Sequence, residues 1–296
     1  MKSKLPVFAL AAVAMMFGTV AQADVLQRVK SSGTLRIGMR TDNGGISYDV
    51  GDGNFGGFHH DLCMVVVRDL EKQLGQKIRV QITSVSAQTR LPQIIDGLID
   101  MECGATTNNA ARQQHVAFAV TTYVEEVRVA VRANSGIHSV ADLNGKSVAT
   151  TLGTTSLPLL RKQNRAKGAD IREVIGRNDV ESFALMAEGK ADAYVMDGQM
   201  VASFISNSKK PSDFRLLGEV LSVEPIAIML PKNDPTFKKA VDDSLKALMR
   251  SGEIQSIYNK WLMDPIPPNQ TRIGLPVSEA TRKAWADPND RPLESY

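Results

Sequence analysis

The chain has 296 residues, 35 basic and 32 acidic side chains, a formal net charge of +3 and two cysteines. The calculated pI near 8.8 is not accompanied by any basic run or stripe, so a nucleic-acid partner is excluded as an expectation. Neither a CxxC pair nor Cys/His spacing is present, which leaves redox catalysis, a zinc site and any other cofactor without support.

The first residues read as a secretory leader. Lys2 and Lys4 open it, an apolar run from Leu5 to Val20 follows, and Ala21-Gln22-Ala23 supplies a small-x-small cleavage site before Asp24. A run of about 16 residues is short for a membrane span, and no cysteine stands at the cleavage point for a lipid anchor. Without residues 1–23 the chain keeps 273 residues, 33 of them basic and 32 acidic, enough for two lobes of ordinary size. No later stretch is apolar enough for a span, which argues against a membrane-bound sensor domain. In an oxidising compartment Cys63 and Cys103 are expected to pair, with two buried thiols as the alternative. His59 and His60 point about 100° apart on a helix and read as solvated helix-start residues rather than metal ligands.

From Thr34 strand-like and helix-like segments alternate. Strands are expected over 34–40, 77–85 and 100–105, and helices over 59–74, stopping at Gly75, and 91–98. After a polar stretch near Tyr123 to Arg128 the rhythm restarts. Strands are then expected over 147–152, 171–175 and 191–196, helices over 157–165, 180–188 and 199–207, and an extended segment over 214–222. A strand over 226–230 ends at Pro231. A long helix starts at Asp234-Pro235 and runs to about Leu262, with a bend allowed at Gly252. The tail from Asp264 reads as a surface strap with a small helix over 278–285. Such alternation means α/β architecture with mostly parallel sheets flanked by helices. Ligands of open parallel sheets sit at the carboxyl ends of the strands, so two facing sheets enclose a cleft.

The residues that follow the strands carry the chemistry. Arg40, Arg90 and Arg112 gather guanidinium forks that suit carboxylates. Gly153-Thr154-Thr155-Ser156, where a strand meets a helix, offers amides and hydroxyls to an anion. Asp197 supplies the sign that suits an ammonium, though it would serve equally as a cap for the helix beginning at Gly198. Asp179 opens the preceding helix.

The segment Glu102-Cys103-Gly104-Ala105-Thr106-Thr107-Asn108-Asn109, with Arg112 after it, resembles the glutamate/aspartate periplasmic binding proteins of solute-binding protein family 3 of ABC importers. Gln88 to Pro92, Gly153 to Ser156, Met196-Asp197 and Trp261 through Pro268 share the resemblance, in one order along the chain. It implies a two-lobed fold, with 24–125 and 225–296 in the first lobe and 126–224 in the second. It also implies that Arg112 clamps the ligand α-carboxylate with Thr107 and Thr155. Asp197 takes the ammonium, and Arg40 and Arg90 receive a side-chain carboxylate. The implied partners are an amino acid and a membrane permease, with the binding protein a monomer. The chain departs from acidic-ligand members at three positions: Ala87 and Ala105 stand for serines and Asp179 for a histidine. Asp179 is then expected to pair with Arg40 or Arg90 and leave one guanidinium free, favouring an amide, a differently sized acid or broader specificity. A dehydratase-like enzyme of cyclohexadienyl acids on the same scaffold is the alternative, with Asp179 or Asp197 as its acid–base group.

Overall fold

The computed structural model describes residues 24–168 and 170–296, so the leader read in residues 1–23 lies outside the described residues. Two mixed sheets organise the chain. The first has the order Arg79–Ser84, Thr34–Met39, Met101–Glu102, Met229–Pro231, Val116–Phe118. Its first three strands are parallel, and Met229–Pro231 returns antiparallel to both neighbours. The second has the order Arg172–Gly176, Ser147–Thr151, Ala193–Asp197, Tyr123–Arg132, Phe214–Leu216, again with three parallel strands followed by antiparallel ones.

Each sheet buries apolar residues on both faces, as strand alternation demands. In the first, Leu35, Ile37 and Met39 pack towards the helices Phe58–Leu74 and Pro235–Ser251, while Val85, Ile99 and Phe118 form a cluster on the other side. In the second, Val127, Val129 and Val131 face one way and Ala130 the other. The result is a two-lobed α/β fold.

Helix Phe58–Leu74 buries Phe58, Leu62, Val66 and Leu70, four residues apart, and stops at Gly75. That glycine adopts φ 67° and its N–H closes on the carbonyl of Glu71, a left-handed cap open to glycine without steric penalty. The expected long helix is two helices, Pro235–Ser251 and Glu253–Leu262, because Gly252 takes φ 78° and ends the first.

The polar stretch near Tyr123 is corrected. Tyr123–Arg132 is a ten-residue strand in the middle of the second sheet, and it pairs along its first half with Ser222–Ile226. These two antiparallel strands carry the chain between the sheets in both directions. Glu125, Glu126 and Arg128 masked the pattern, since the valines between them hold the buried face. His59 is also corrected. It is fully buried, with Nδ1 2.8 Å from the Gly104 carbonyl and Nε2 2.6 Å from Thr122 Oγ1. Burial lowers its pKa to about 4, so the ring is neutral. The segment 100–105 contributes only the two-residue strand Met101–Glu102 before turning into the site loop.

Cys63 and Cys103 form a disulfide that ties helix Phe58–Leu74 to the end of Met101–Glu102. The C-terminal strap folds back to the base of the linking strands. Asn289 O accepts from the Thr121 amide at 2.8 Å, Trp285 Nε1 donates to Thr122 O at 2.6 Å, and Thr281 Oγ1 accepts from the Val124 amide at 3.0 Å. Leu293 N donates to Asn108 O at 2.8 Å, so the strap also reaches the loop that leads into Arg112.

Candidate ligand-binding site

The loops after the parallel strands of the two sheets meet face to face. Gln88 Nε2 donates to Arg177 O at 2.9 Å, and Gln199 Nε2 donates to Gly44 O. Gly153 lies against Ala87, where an added Cβ would stand 2.7 Å from the Ala87 carbonyl oxygen, and its φ is +84°. Only glycine satisfies both the turn and the approach.

Arg112 lies on the short helix Ala110–Gln113, fixed at its start by Asn109, whose side chain accepts from the Arg112 amide. Its Nη1 donates to Thr107 O at 2.8 Å and its Nη2 to Gly153 O at 3.3 Å, one carbonyl from each side of the cleft. Burial, with Arg90 nearby, pulls this guanidinium down to about 9, which signals a cation short of counter-charge. Thr107 and Thr155 both donate their hydroxyls to Glu224 Oε2, each at 2.7 Å. The first-turn amides of helix Ser156–Lys167 have no partner within the helix, which begins three residues after the Gly153 carbonyl that Arg112 reaches.

Asp197 ends the strand Ala193–Asp197 and is 4% exposed. It occupies the cap position of the helix Gly198–Ser206, but its side chain makes no capping bond. Burial pushes its carboxyl well above the usual range, and Glu125 and Glu224 add to the shift. A buried carboxyl crowded by like charges gains from a cation placed beside it.

At the other end Arg40 is 2% exposed and Asp179 fully buried. Arg40 Nη2 donates to Asp42 Oδ1 at 2.8 Å and to Asp179 Oδ2 at 2.7 Å, so the second contact spans the two lobes. Burial alone would lower the Arg40 pKa, but Asp179 and Asp42 raise it above its ordinary value. Arg90 opens helix Arg90–Ile95 and donates from Nη1 to Ala105 O at 2.8 Å and to Thr106 Oγ1 at 2.6 Å. Thr106 passes its own hydrogen to Glu102 Oε2 at 2.7 Å. Asp179 pairs with Arg40, while Arg90 bonds through Nη1 only to two uncharged groups, the Ala105 carbonyl and the Thr106 hydroxyl, and makes no ion pair among the described residues.

The structure thus gathers Arg40, Arg90, Ala105, Thr107, Arg112, Thr155, Asp179 and Asp197 around the interface of the lobes, in three groups. Glu102, Thr106, Glu224 and Asp42 were not singled out as site residues from the sequence. Glu224 had a signal, an acidic residue flanked by apolar ones in Ser222–Ile226.

A family model described as bacterial extracellular solute-binding proteins, family 3, matches residues 35–264. The chain belongs to that family. Among other members, an L-glutamate/L-aspartate-binding protein of Pseudomonas aeruginosa is 35% identical over 271 residues, covering 91% of this chain and 90% of that protein. A glutamate/aspartate import solute-binding protein of Escherichia coli is 31% identical, covering 99% and 100%. Among solved structures, an ancestral amino acid-binding protein described as a precursor of cyclohexadienyl dehydratase superposes with a TM-score of 0.69 at 25% identity, covering 81% of this chain and 99% of that one. The strap from Pro265 onward lies beyond the residues the family model matches.

Proposed function

We propose that this family 3 protein captures a free α-amino acid of glutamate or aspartate size, either one of these acids or a close relative, and delivers it to the permease of an ABC importer. The observation that carries the reading is the separation of opposite charges in the cleft. Arg112 sits between carbonyls of both lobes with charge to spare, and Asp197 is buried without a capping bond. An α-amino acid carries a carboxylate and an ammonium on one carbon and answers both. Arg112 then holds the carboxylate with the helix-start amides, while Thr107 and Thr155 are oriented through Glu224. Asp197 takes the ammonium, and Arg40, Arg90, Ala105 and Asp179 surround the side chain. The names of the relatives support the ligand size and the importer.

The lobes are taken as 24–125 with 225–296 and as 126–224, with the crossings as hinge. A ligand touching both lobes binds the closed state better and shifts the population towards it. The protein acts as a monomer in the periplasm after loss of residues 1–23, without cofactor or nucleic acid, and turns nothing over. Calorimetric titration of the unfolded, washed and refolded chain with the proteinogenic amino acids tests this: saturable binding of at least one is expected, and binding of none refutes it. Incubation with a cyclohexadienyl acid should leave that acid unchanged; turnover would favour the enzyme instead.

A further inference from the structure

Three buried carboxyl groups meet where the linking strands reach Asp197. Glu125 is 5% exposed, Asp197 4% and Glu224 1%. Glu125 and Glu224 are direct partners across the antiparallel strands Tyr123–Arg132 and Ser222–Ile226. Side chains at such positions share a face with Cβ atoms about 5 Å apart, and like charges there repel. Glu125 Oε1 accepts the Glu126 amide at 2.8 Å and the Gln199 amide at 3.3 Å, which brings it to the first turn of the helix that follows Asp197. The donors to the cluster are uncharged: amides for Glu125, and the Thr107 and Thr155 hydroxyls for Glu224. The basic groups around it are engaged elsewhere. Arg128 pairs with Glu126 and Arg40 with Asp42 and Asp179, while Arg90 and Arg112 bond to carbonyls and a hydroxyl. Tyr123 and Tyr258 near Glu125 are neutral phenols raised by burial, and Arg282 acts on Tyr258 from the strap.

We infer that Glu125, Glu224 and Asp197 form one proton-exchanging ammonium site, which holds a proton in the free protein and gives it up when the ligand ammonium enters; the inference rests on the amino-acid reading above. Three buried carboxylates without a paired cation cannot all stay ionised, since desolvation and mutual repulsion both favour the neutral form. Burial raises the Glu125 carboxyl to about 7, and burial with Glu125 and Glu224 nearby raises Asp197 well above the usual range. Because the groups interact, the proton belongs to the cluster rather than to one side chain. The ammonium supplies the missing charge. One carboxyl O–H breaks, its proton passes to solvent, and the ligand keeps all three ammonium hydrogens, so one positive charge leaves as another enters. Glu125, with Gln199 and Tyr258, also lines a cavity of about 190 Å³ that Asp197 and Arg112 do not line, which gives the proton a path to water. Glu125 is therefore a specificity-determining residue: it sets how much the site gains from a cation and how that gain depends on pH.

The test is calorimetry on the ligand-stripped protein, first with the proteinogenic amino acids and then with the tightest of them in phosphate and in imidazole at equal pH. The difference in apparent enthalpy between the two buffers counts the protons exchanged. Release of about one proton is expected at pH 6 and little at pH 8, with affinity about tenfold weaker at pH 6, because the free cluster titrates near 7 and the liganded one below 6. Arg112, near 9, and His59, near 4, titrate outside that window. Glu125→Gln keeps an accepting oxygen for the Gln199 amide and removes the charge. It should still bind, release at most about half as many protons and show a flatter affinity profile from pH 6 to 8. Should the variant fail to fold, the wild-type comparison of buffers decides alone. Equal enthalpies in the two buffers, proton uptake, or a release unchanged in Glu125→Gln overturns the proton exchange while leaving amino-acid capture standing. Binding of no amino acid removes both.

Discussion

Arg112→Ala removes a guanidinium that touches both sides of the cleft. Its Nη1 is held by Thr107 O and its Nη2 by Gly153 O, and the remaining N–H groups are left for an anion. A ligand carboxylate seated there makes charge-assisted bonds worth about 1.5–3 kcal/mol each. Two such bonds lost together amount to about 3–6 kcal/mol, or a factor of about 10² to 10⁴ in Kd at 1.4 kcal/mol per decade. Arg112→Lys keeps the charge but not the fork and should fall between the wild type and the alanine variant. The assay is calorimetry on stripped protein, with thermal unfolding of the unliganded variant as a control for the fold. A partly exposed residue on a four-residue helix should shift that transition little. An affinity loss below tenfold, with the fold intact, would refute the placement of the α-carboxylate at Arg112.

Gly153→Ala should weaken ligand binding by at least tenfold, because the new Cβ would stand 2.7 Å from the Ala87 carbonyl oxygen across the cleft and φ +84° disfavours any side chain; small-angle scattering with ligand should show a more open particle. Replacing Cys63 and Cys103 by serine opens a loop of sequence separation 40, a loss of about 4 kcal/mol in the chain-entropy account. At about 2 °C per kcal/mol for a chain of this size, Tm should fall by about 8 °C in calorimetry. His59 has a folded pKa near 4, below its unfolded value of 6.5, so its contribution is complete above pH 6.5 and is lost as pH falls towards 4. Glu125, raised to about 7 by burial, acts with the opposite sign: its contribution is complete below pH 4.5 and is lost as pH rises towards 7. Urea unfolding of His59→Gln should therefore differ from the wild type by a slope of about 1.4 kcal/mol per pH unit between pH 4.5 and 6, and parallel curves would contradict a buried neutral ring.

Much of the scaffold was legible because local rules and packing agree there. Helix Phe58–Leu74 carries its apolar stripe, its terminating Gly75 and no competing signal. The strand Thr34–Met39 is short, apolar and punctuated. Reading failed where tertiary environment overrides polarity. Tyr123–Arg132 looks solvated because Glu125, Glu126 and Arg128 recur in it, yet Glu125 is 5% exposed in the strand that links the lobes. His59 looks like a solvated helix start until helix Phe58–Leu74 is laid on the loop that supplies Gly104 O. In the site, Arg40, Arg90 and Arg112 could be picked out because each follows a strand. The resemblance led to a pairing of Asp179 with Arg40 or Arg90; which of the two it takes was not legible, since Arg40 and Asp179 are 139 residues apart in sequence. The same holds for Glu224, 117 residues from Thr107 and 69 from Thr155, whose hydroxyls it holds.

The C-terminal strap gives the linking strands an asymmetry. Its residues Thr281, Trp285 and Asn289 fasten the chain from Thr121 to Val124, while Leu293 fastens Asn108. One bank of the crossing is therefore splinted, which under the hinge proposed above leaves rotation to the part of the strands beyond Val124. Under that proposal the strap sets where the axis of opening lies. Lesions in it should alter how fast ligand leaves while the cleft keeps its shape and its selectivity.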